Sequence, residues 1–531
     1  MKRLKLCIVG LSVLWNLTSS NASASTFVYC SEGSPTAFNP QITTDGTSNN
    51  AAAHTVYDRL VEFKYGTTEV VPSLASSWKV TGKGKIFTFT LRKGVQFHTT
   101  AFFTPTREMN ADDVLFSFNR MRDSDNPYHK ISGGNYEYWN AMDMGKLVKT
   151  IKKVDNYTVE ITLNEAEAPF LANLAMSFMS VLSKEYADKL MAAGTAEKID
   201  QEPVGTGPFI FKQYSKDTMI RFERNEKYFA GAPSIEKLVF AITPDPSVRY
   251  QKLKTGECHL VIEPAPADLE AMRADSKLKV LSAAGLNVGY LSMNTLKKPF
   301  DNLMVRKAVA HALNKADYIN AIYLGNAIPA KGPLPPSMWG SHHGLQEYEF
   351  SPEKAKELLK KAGYPNGFEA ELWTLPITRP YIPNGKKLGE MMQADLARIG
   401  IKVKLVSYDW STYLAKARTG EHQMLQLGWT GDNGDPDNFL NVLLGCSAVE
   451  AGSNNAKWCH KPFNDLIIKA KRTTDMKART EYYKQAQEIF NERVPWIPLA
   501  HSVIFRAMST KVDGYKIDPL GGDIFKEVKL Q

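Results

Sequence analysis

The segment Gly428–Trp429–Thr430–Gly431–Asp432–Asn433–Gly434–Asp435–Pro436–Asp437–Asn438–Phe439 gathers three carboxylates, three glycines and a tryptophan between apolar runs at 424–427 and 440–444. Glycine lets a backbone come close to a bound molecule, and a carboxylate held beside it can fix a cation. Upstream, Thr378–Arg379–Pro380–Tyr381 offers a lone arginine stiffened by proline. An acid and an arginine of this kind can grip the two ends of a zwitterion, the planar guanidinium suiting the carboxylate end. The expected chemistry is capture of a short peptide by its charged termini. A calcium loop is the competing use of the three acids. Its spacing demands glycine at the sixth position, and counting from Asp432 that position is Asp437. Asp435 and Asp437, flanking Pro436, read instead as caps of the following helix.

The elements that must position these groups are mixed. Ile86–Leu91 is rich in β-formers, and 157–163 alternates cleanly; both read as strands. Ser351 is an N-cap with Pro352 at the first helical position. Ala355, Leu358, Leu359 and Ala362 form one apolar face, and Gly363 stops the helix. A strand is expected over Phe368–Trp373, a helix over 387–399 ending at Gly400, and a strand over Ile401–Val406. Such alternation predicts α/β topology with substantially parallel sheets.

Compartment restricts the function further. Lys2, Arg3 and Lys5 precede an apolar run from Leu6 to Leu17, followed by small residues at Ala22–Ser23–Ala24. This is the tripartite pattern of a secretory signal peptide, and cleavage after Ala24 is expected to give a periplasmic protein starting at Ser25. The run is too short to span a bilayer. Cys7 leaves with the leader; Cys30, Cys258, Cys446 and Cys459 remain. An even number in an exported chain reads as disulfides, with three connectivities open. The simplest closes the local loop Cys446–Cys459 and leaves Cys30 with Cys258. No Cys/His set has metal-ligand spacing, so neither a metal nor a cofactor is expected.

The formal charge is +9, and three of those positive charges belong to the leader. Lysines are interspersed with acids and no basic stripe stands out, which argues against nucleic acid. Gly-x-Ser-x-Gly, His-Glu-x-x-His and P-loop motifs are absent. His98, His342, His343 and His501 are scattered; His501 lies in apolar surroundings as a core histidine would. An exported hydrolase is a distant alternative.

Several stretches together resemble the extracytoplasmic solute-binding proteins of peptide and nickel ABC importers. They are Pro72–Ser73–Leu74–Ala75–Ser76–Ser77–Trp78, Phe89–Thr90–Leu91–Arg92–Lys93–Gly94–Val95–Gln96–Phe97–His98, Asn110–Ala111–Asp112–Asp113–Val114–Leu115–Phe116–Ser117 and Gly205–Thr206–Gly207–Pro208–Phe209. Asn294, Phe300–Asp301–Asn302–Leu303 with Val305–Arg306, and Ser351–Pro352–Glu353–Lys354–Ala355 follow. Each is weak alone; their order across nearly the whole mature chain is specific. Val28–Tyr29–Cys30–Ser31–Glu32–Gly33, the 428–439 segment and the four cysteines point to the dipeptide-binding branch.

The resemblance implies an α/β, type II periplasmic-binding-protein fold of two hinged lobes and three domains. It places a signal peptide at 1–24, a discontinuous domain I at 25–57, 206–284 and 503–531, an inserted domain II at 58–205 and domain III at 285–502. It implies both disulfides above. It implies that Asp432 holds a dipeptide ammonium and Arg379 its carboxylate, with Thr44, Pro380, Tyr381, Trp429, Thr430 and Gly431 as further ligand contacts. On its own residues, Thr44 reads equally as a turn residue before Asp45–Gly46. Partners implied are a dipeptide, an inner-membrane ABC permease and a chemoreceptor; the protein is expected to be monomeric. Haem, glutathione and longer or antimicrobial peptides are the alternative ligands. An arginine at 379 speaks against long peptides, whose carboxylate end must stay open.

Overall fold

The structure is a computed structural model that describes residues 26–531. The signal-peptide expectation, its cleavage site and Cys7 lie outside the described residues. Among those described, no helix is long and apolar enough to cross a membrane.

Strand Thr26–Ser31 is buried along much of its length and pairs in parallel with Lys237–Ile242 on one side and Leu260–Ile262 on the other. Antiparallel strands Met219–Arg224 and Phe209–Ser215 extend the sheet outward from Lys237–Ile242. A second group lies around Phe368–Trp373, which runs parallel to Ile401–Val406 and to the start of Met424–Thr430. Met424–Thr430 pairs antiparallel with Asn287–Met293, a strand with every residue buried.

One strand joins the two groups. Trp496–Ser509 pairs through Trp496–Ala500 with Asn287–Met293, and through Val503–Ser509 with Leu278–Ala284. It also pairs with Leu260–Ile262, so all these strands belong to one 12-stranded sheet. Because this strand runs antiparallel to its neighbours in both groups, the large sheet is mixed, and the expectation of substantially parallel sheets is corrected. A separate antiparallel sheet has the order Ala75–Thr81, Ile86–Leu91, Thr158–Leu163, Val148–Asp155. Helix Ala111–Arg122 packs on it, started by a capping box between Asn110 and Asp113.

Local signals hold where they were clear. Ser351 accepts a hydrogen bond from the Lys354 amide, and Pro352 opens the helix Pro352–Lys361. The helix expected at 387–399 runs Gly385–Ala397, because the Asn384 side chain caps it two residues earlier. Disulfides join Cys30 to Cys258 and Cys446 to Cys459, 228 and 13 residues apart in sequence. The first fastens strand Thr26–Ser31 to the segment entering Leu260–Ile262. The second closes the loop after helix Asp437–Leu444.

Candidate functional site

Arg379 sits in a tight turn in which its amide and that of Ile382 bond each other's carbonyls, at 3.2 and 3.1 Å. The turn is fixed from outside. Ser502 Oγ donates to the Pro380 carbonyl at 2.6 Å, and Tyr323 Oη to the Tyr381 carbonyl at 2.6 Å. It lies flat on a cross-strand pair of glycines, Gly289 opposite Gly428. A Cβ on Gly428 would stand 2.2 Å from the Tyr381 ring, and one on Gly289 would stand 2.2 Å from the Tyr381 carbonyl oxygen. Only glycine permits that approach.

The arginine is buried and partnered. Its Nη1 donates to Glu32 Oε1, its Nη2 to Thr47 Oγ1 at 2.9 Å, and the guanidinium lies 4.8 Å from the centre of the Trp410 ring. Thr47 Oγ1 donates in turn to Glu32 Oε1 at 2.7 Å. Burial alone would lower the Arg379 pKa; the Glu32 carboxylate outweighs it and the net shift is upward. The other oxygen of Glu32 is buried with no hydrogen-bond partner. Glu32 leaves the carboxyl end of a parallel strand, the position where open α/β sheets place ligand sites, and that signal was available in the sequence.

Asp432 follows the buried strand Met424–Thr430. Asn438 Oδ1 accepts both the Asp432 amide, at 2.8 Å, and Trp429 Nε1, at 3.0 Å, which fixes the turn. The Asp432 carboxylate accepts a hydrogen bond from Tyr138 Oη, reaching from the 58–205 region across the cleft. Burial pushes the Asp432 carboxyl up to about 7, opposed by the Tyr138 and Asn438 hydrogen bonds. The Trp429 ring meets Tyr138 edge-on, centres 6.0 Å apart.

The remaining acids have other tasks. Asp435 is paired with Arg479 at 2.9 Å, and its Oδ1 accepts the Asp437 amide at the start of helix Asp437–Leu444. Asp437 is fully buried, and burial raises its carboxyl to about 6. Among the described residues no His/Cys/Asp/Glu group could hold a metal ion.

Thr44, Arg379, Pro380, Tyr381, Trp429, Thr430 and Asp432 line one open-mouthed cavity. Gly431 is outside that lining. Its amide donates to the Leu286 carbonyl at 2.7 Å, and a Cβ there would meet the Phe439 ring at 2.6 Å, so it shapes the turn. His501 is buried with Nδ1 on the Asn287 carbonyl at 2.8 Å, a satisfied core histidine whose pKa burial lowers to about 4. Sequence reasoning missed Glu32, Tyr138 and Trp410 as parts of the site. Nothing local marks Tyr138, since its partner lies 294 positions away.

The cleft is bridged at several points besides Tyr138. Arg418 pairs with buried Glu137 at 2.7 Å, Lys471 with buried Glu167 at 3.4 Å, and Asn433 donates to Asn173 at 2.8 Å. These contacts tie residues 137–173 to residues 418–471.

Residues 69–451 match the family described as bacterial extracellular solute-binding proteins, family 5 Middle. The chain is 50% identical over 531 residues to a dipeptide-binding protein of Escherichia coli strain K12, covering 100% of this chain and 99% of the relative. It is 47% identical to heme-binding protein A of Haemophilus influenzae, covering 96% of this chain and 93% of that one. Among solved structures, the dipeptide binding protein from Pseudoalteromonas sp. SM9913 in complex with Met-Leu superposes with a TM-score of 0.93 at 42% identity, over 95% of this chain and 100% of that one.

Proposed function

The chain belongs to the bacterial extracellular solute-binding proteins of family 5, and from that premise we propose that it captures dipeptides between two closing lobes and hands them to an ABC-type membrane permease. Asp432 takes the α-ammonium and Arg379 the α-carboxylate. Backbone groups around Thr430 and the Pro380 turn receive the ligand's own amide, and Thr44 lines the opposite wall. In this reading the leader is removed after Ala24 and the protein works in the periplasm. Domain I comprises 25–57, 206–284 and 503–531, domain II 58–205, and domain III 285–502. Binding, with no bond made or broken, is its task.

The observation that carries this is that a buried guanidinium at 379 and a buried carboxyl at 432 line the same glycine-lined cavity. A dipeptide has fixed charges one peptide bond apart, so such a pair measures its length. Micromolar affinity corresponds to about −8 kcal/mol, and charge-assisted hydrogen bonds in a closed site supply much of that after desolvation is offset. Calorimetry of Asp432→Asn tests the ammonium role. A free dipeptide should weaken far more than its N-acetylated form, and equal losses would sink the assignment.

Haem is the second reading, favoured by the similarity to a haem-binding relative. Haem offers propionates to arginine but no ammonium to Asp432, so sensitivity of its binding to Asp432→Asn separates the two.

A further inference from the structure

The two disulfides differ in access. Cys30 and Cys258 are 0% and 1% exposed and lie in an apolar cluster with Leu253, Val261 and Met272. Cys459 is exposed and Cys446 half-buried. Thiol–disulfide exchange begins when a thiolate reaches a disulfide sulfur, so access decides which bond is reduced first.

The segment that the exposed bond closes touches two parts of the site. Ala448 and Ala451, in the short helix Ser447–Ala451, pack against Ala141, and Asn135 Nδ2 donates to the Ala451 carbonyl at 3.3 Å. Gly452, Ser453 and Asn455 then line the cavity. Lys457 Nζ donates to the Val449 carbonyl at 3.1 Å and to the Arg418 carbonyl at 2.5 Å, and Arg418 is the residue that pairs with Glu137. The S–S bond joins cysteines 13 positions apart across this segment and limits the conformations open to it. Other bonds share the task. Asn454 Nδ2 donates to the Gly445 and Trp458 carbonyls at 3.3 and 2.8 Å, beside the two cysteines. The Asn464 side chain accepts the Cys446 amide at 2.9 Å. Reduction therefore loosens the segment without releasing it.

We propose that Cys446–Cys459 is a thiol–disulfide exchange site through which a dithiol reductant weakens peptide binding; the effect on peptide rests on the dipeptide reading above. A thiolate of the reductant attacks Cys459 Sγ, the S–S bond breaks, and Cys446 leaves as a thiolate. The reductant's second thiolate then attacks the reductant sulfur of the mixed disulfide and frees Cys459. Two electrons pass to the pair, the reductant ends as a disulfide, and its two protons end on Cys446 and Cys459. The coupling runs both ways, so peptide that holds this cavity wall in place protects the bond.

The test treats the mature protein, stripped of ligand with its disulfides intact, with dithiothreitol in the presence and absence of saturating dialanine. Free thiols are followed by alkylation and peptide mapping. They should appear at Cys446 and Cys459 while Cys30–Cys258 stays intact, and dialanine should slow their appearance by about tenfold. Calorimetry on the selectively reduced protein should show dialanine binding weakened by about tenfold, and reoxidation should restore it. Cys446→Ser combined with Cys459→Ser should match the reduced protein, and the reduced parent serves alone if that variant does not fold. Reduction of both disulfides together, no protection by dialanine, or unchanged affinity after selective reduction overturns the inference and leaves the dipeptide reading standing. If the parent binds no dialanine, that reading falls and the inference falls with it.

Discussion

Arg379 and Asp432 do not wait for ligand in the same state. Arg379 is ion-paired to buried Glu32, so its removal strands a charge. Arg379→Ala should therefore destabilise the fold by about 3–5 kcal/mol, and adding Glu32→Gln should recover much of that loss in a denaturant titration. Recovery of nothing would mean that the pair is not what holds the two segments together. Asp432 is held protonated below about 7 by burial, with Tyr138 and Asn438 as its polar neighbours. An ammonium is gripped by the ionised form, while a dipeptide's own termini stay charged between pH 5 and 7. Affinity should thus rise with pH toward 7, by about tenfold per unit at the low end, and Asp432→Asn should flatten the profile. A slope that survives in the variant would assign the titration to another group. Tyr138 was invisible in the sequence because a hydroxyl reaching across a cleft leaves no local pattern.

At the scale of elements, the site depends on where glycine allows two segments to touch. Gly428 and Gly289 form a cross-strand pair beneath the 379–382 turn. Gly428→Ala pushes a methyl group into the Tyr381 ring, which should displace the turn. We expect a stability loss of about 1–3 kcal/mol and weaker binding of every peptide, measured by thermal unfolding and calorimetry. Unchanged binding would show that the turn does not position Arg379. Much at this scale was legible beforehand. The strands Ile86–Leu91, Phe368–Trp373 and Ile401–Val406 and the helix capped by Ser351 follow from periodicity and capping residues that act within a few positions. The sharing of Trp496–Ser509 between two groups of strands was not legible. A continuous buried run such as Trp496–Ser502 is compatible with many partners, and pairing partners are chosen by tertiary packing. For the same reason the alternation of helices and strands overstated the parallel content.

For the molecule as a whole, closure is carried partly by contacts away from the ligand site. Lys471 Nζ pairs with Glu167 and donates to the Met142 carbonyl at 3.0 Å, all of them buried. Lys471→Met should favour the open form. It should weaken all peptides by a similar factor and raise the radius of gyration in solution scattering, with discrimination between ligands unchanged. Selective loss of one peptide would instead place Lys471 within reach of ligand. The central claim, a clamp on both termini of a dipeptide, is tested most directly by titrating the mature protein, stripped by unfolding and refolding, with dialanine, N-acetyl-dialanine and dialanine amide. The clamp predicts micromolar or tighter binding of dialanine, lost on capping either end. Silence with dialanine alongside binding of haem or longer peptides would keep the fold and contradict the clamp.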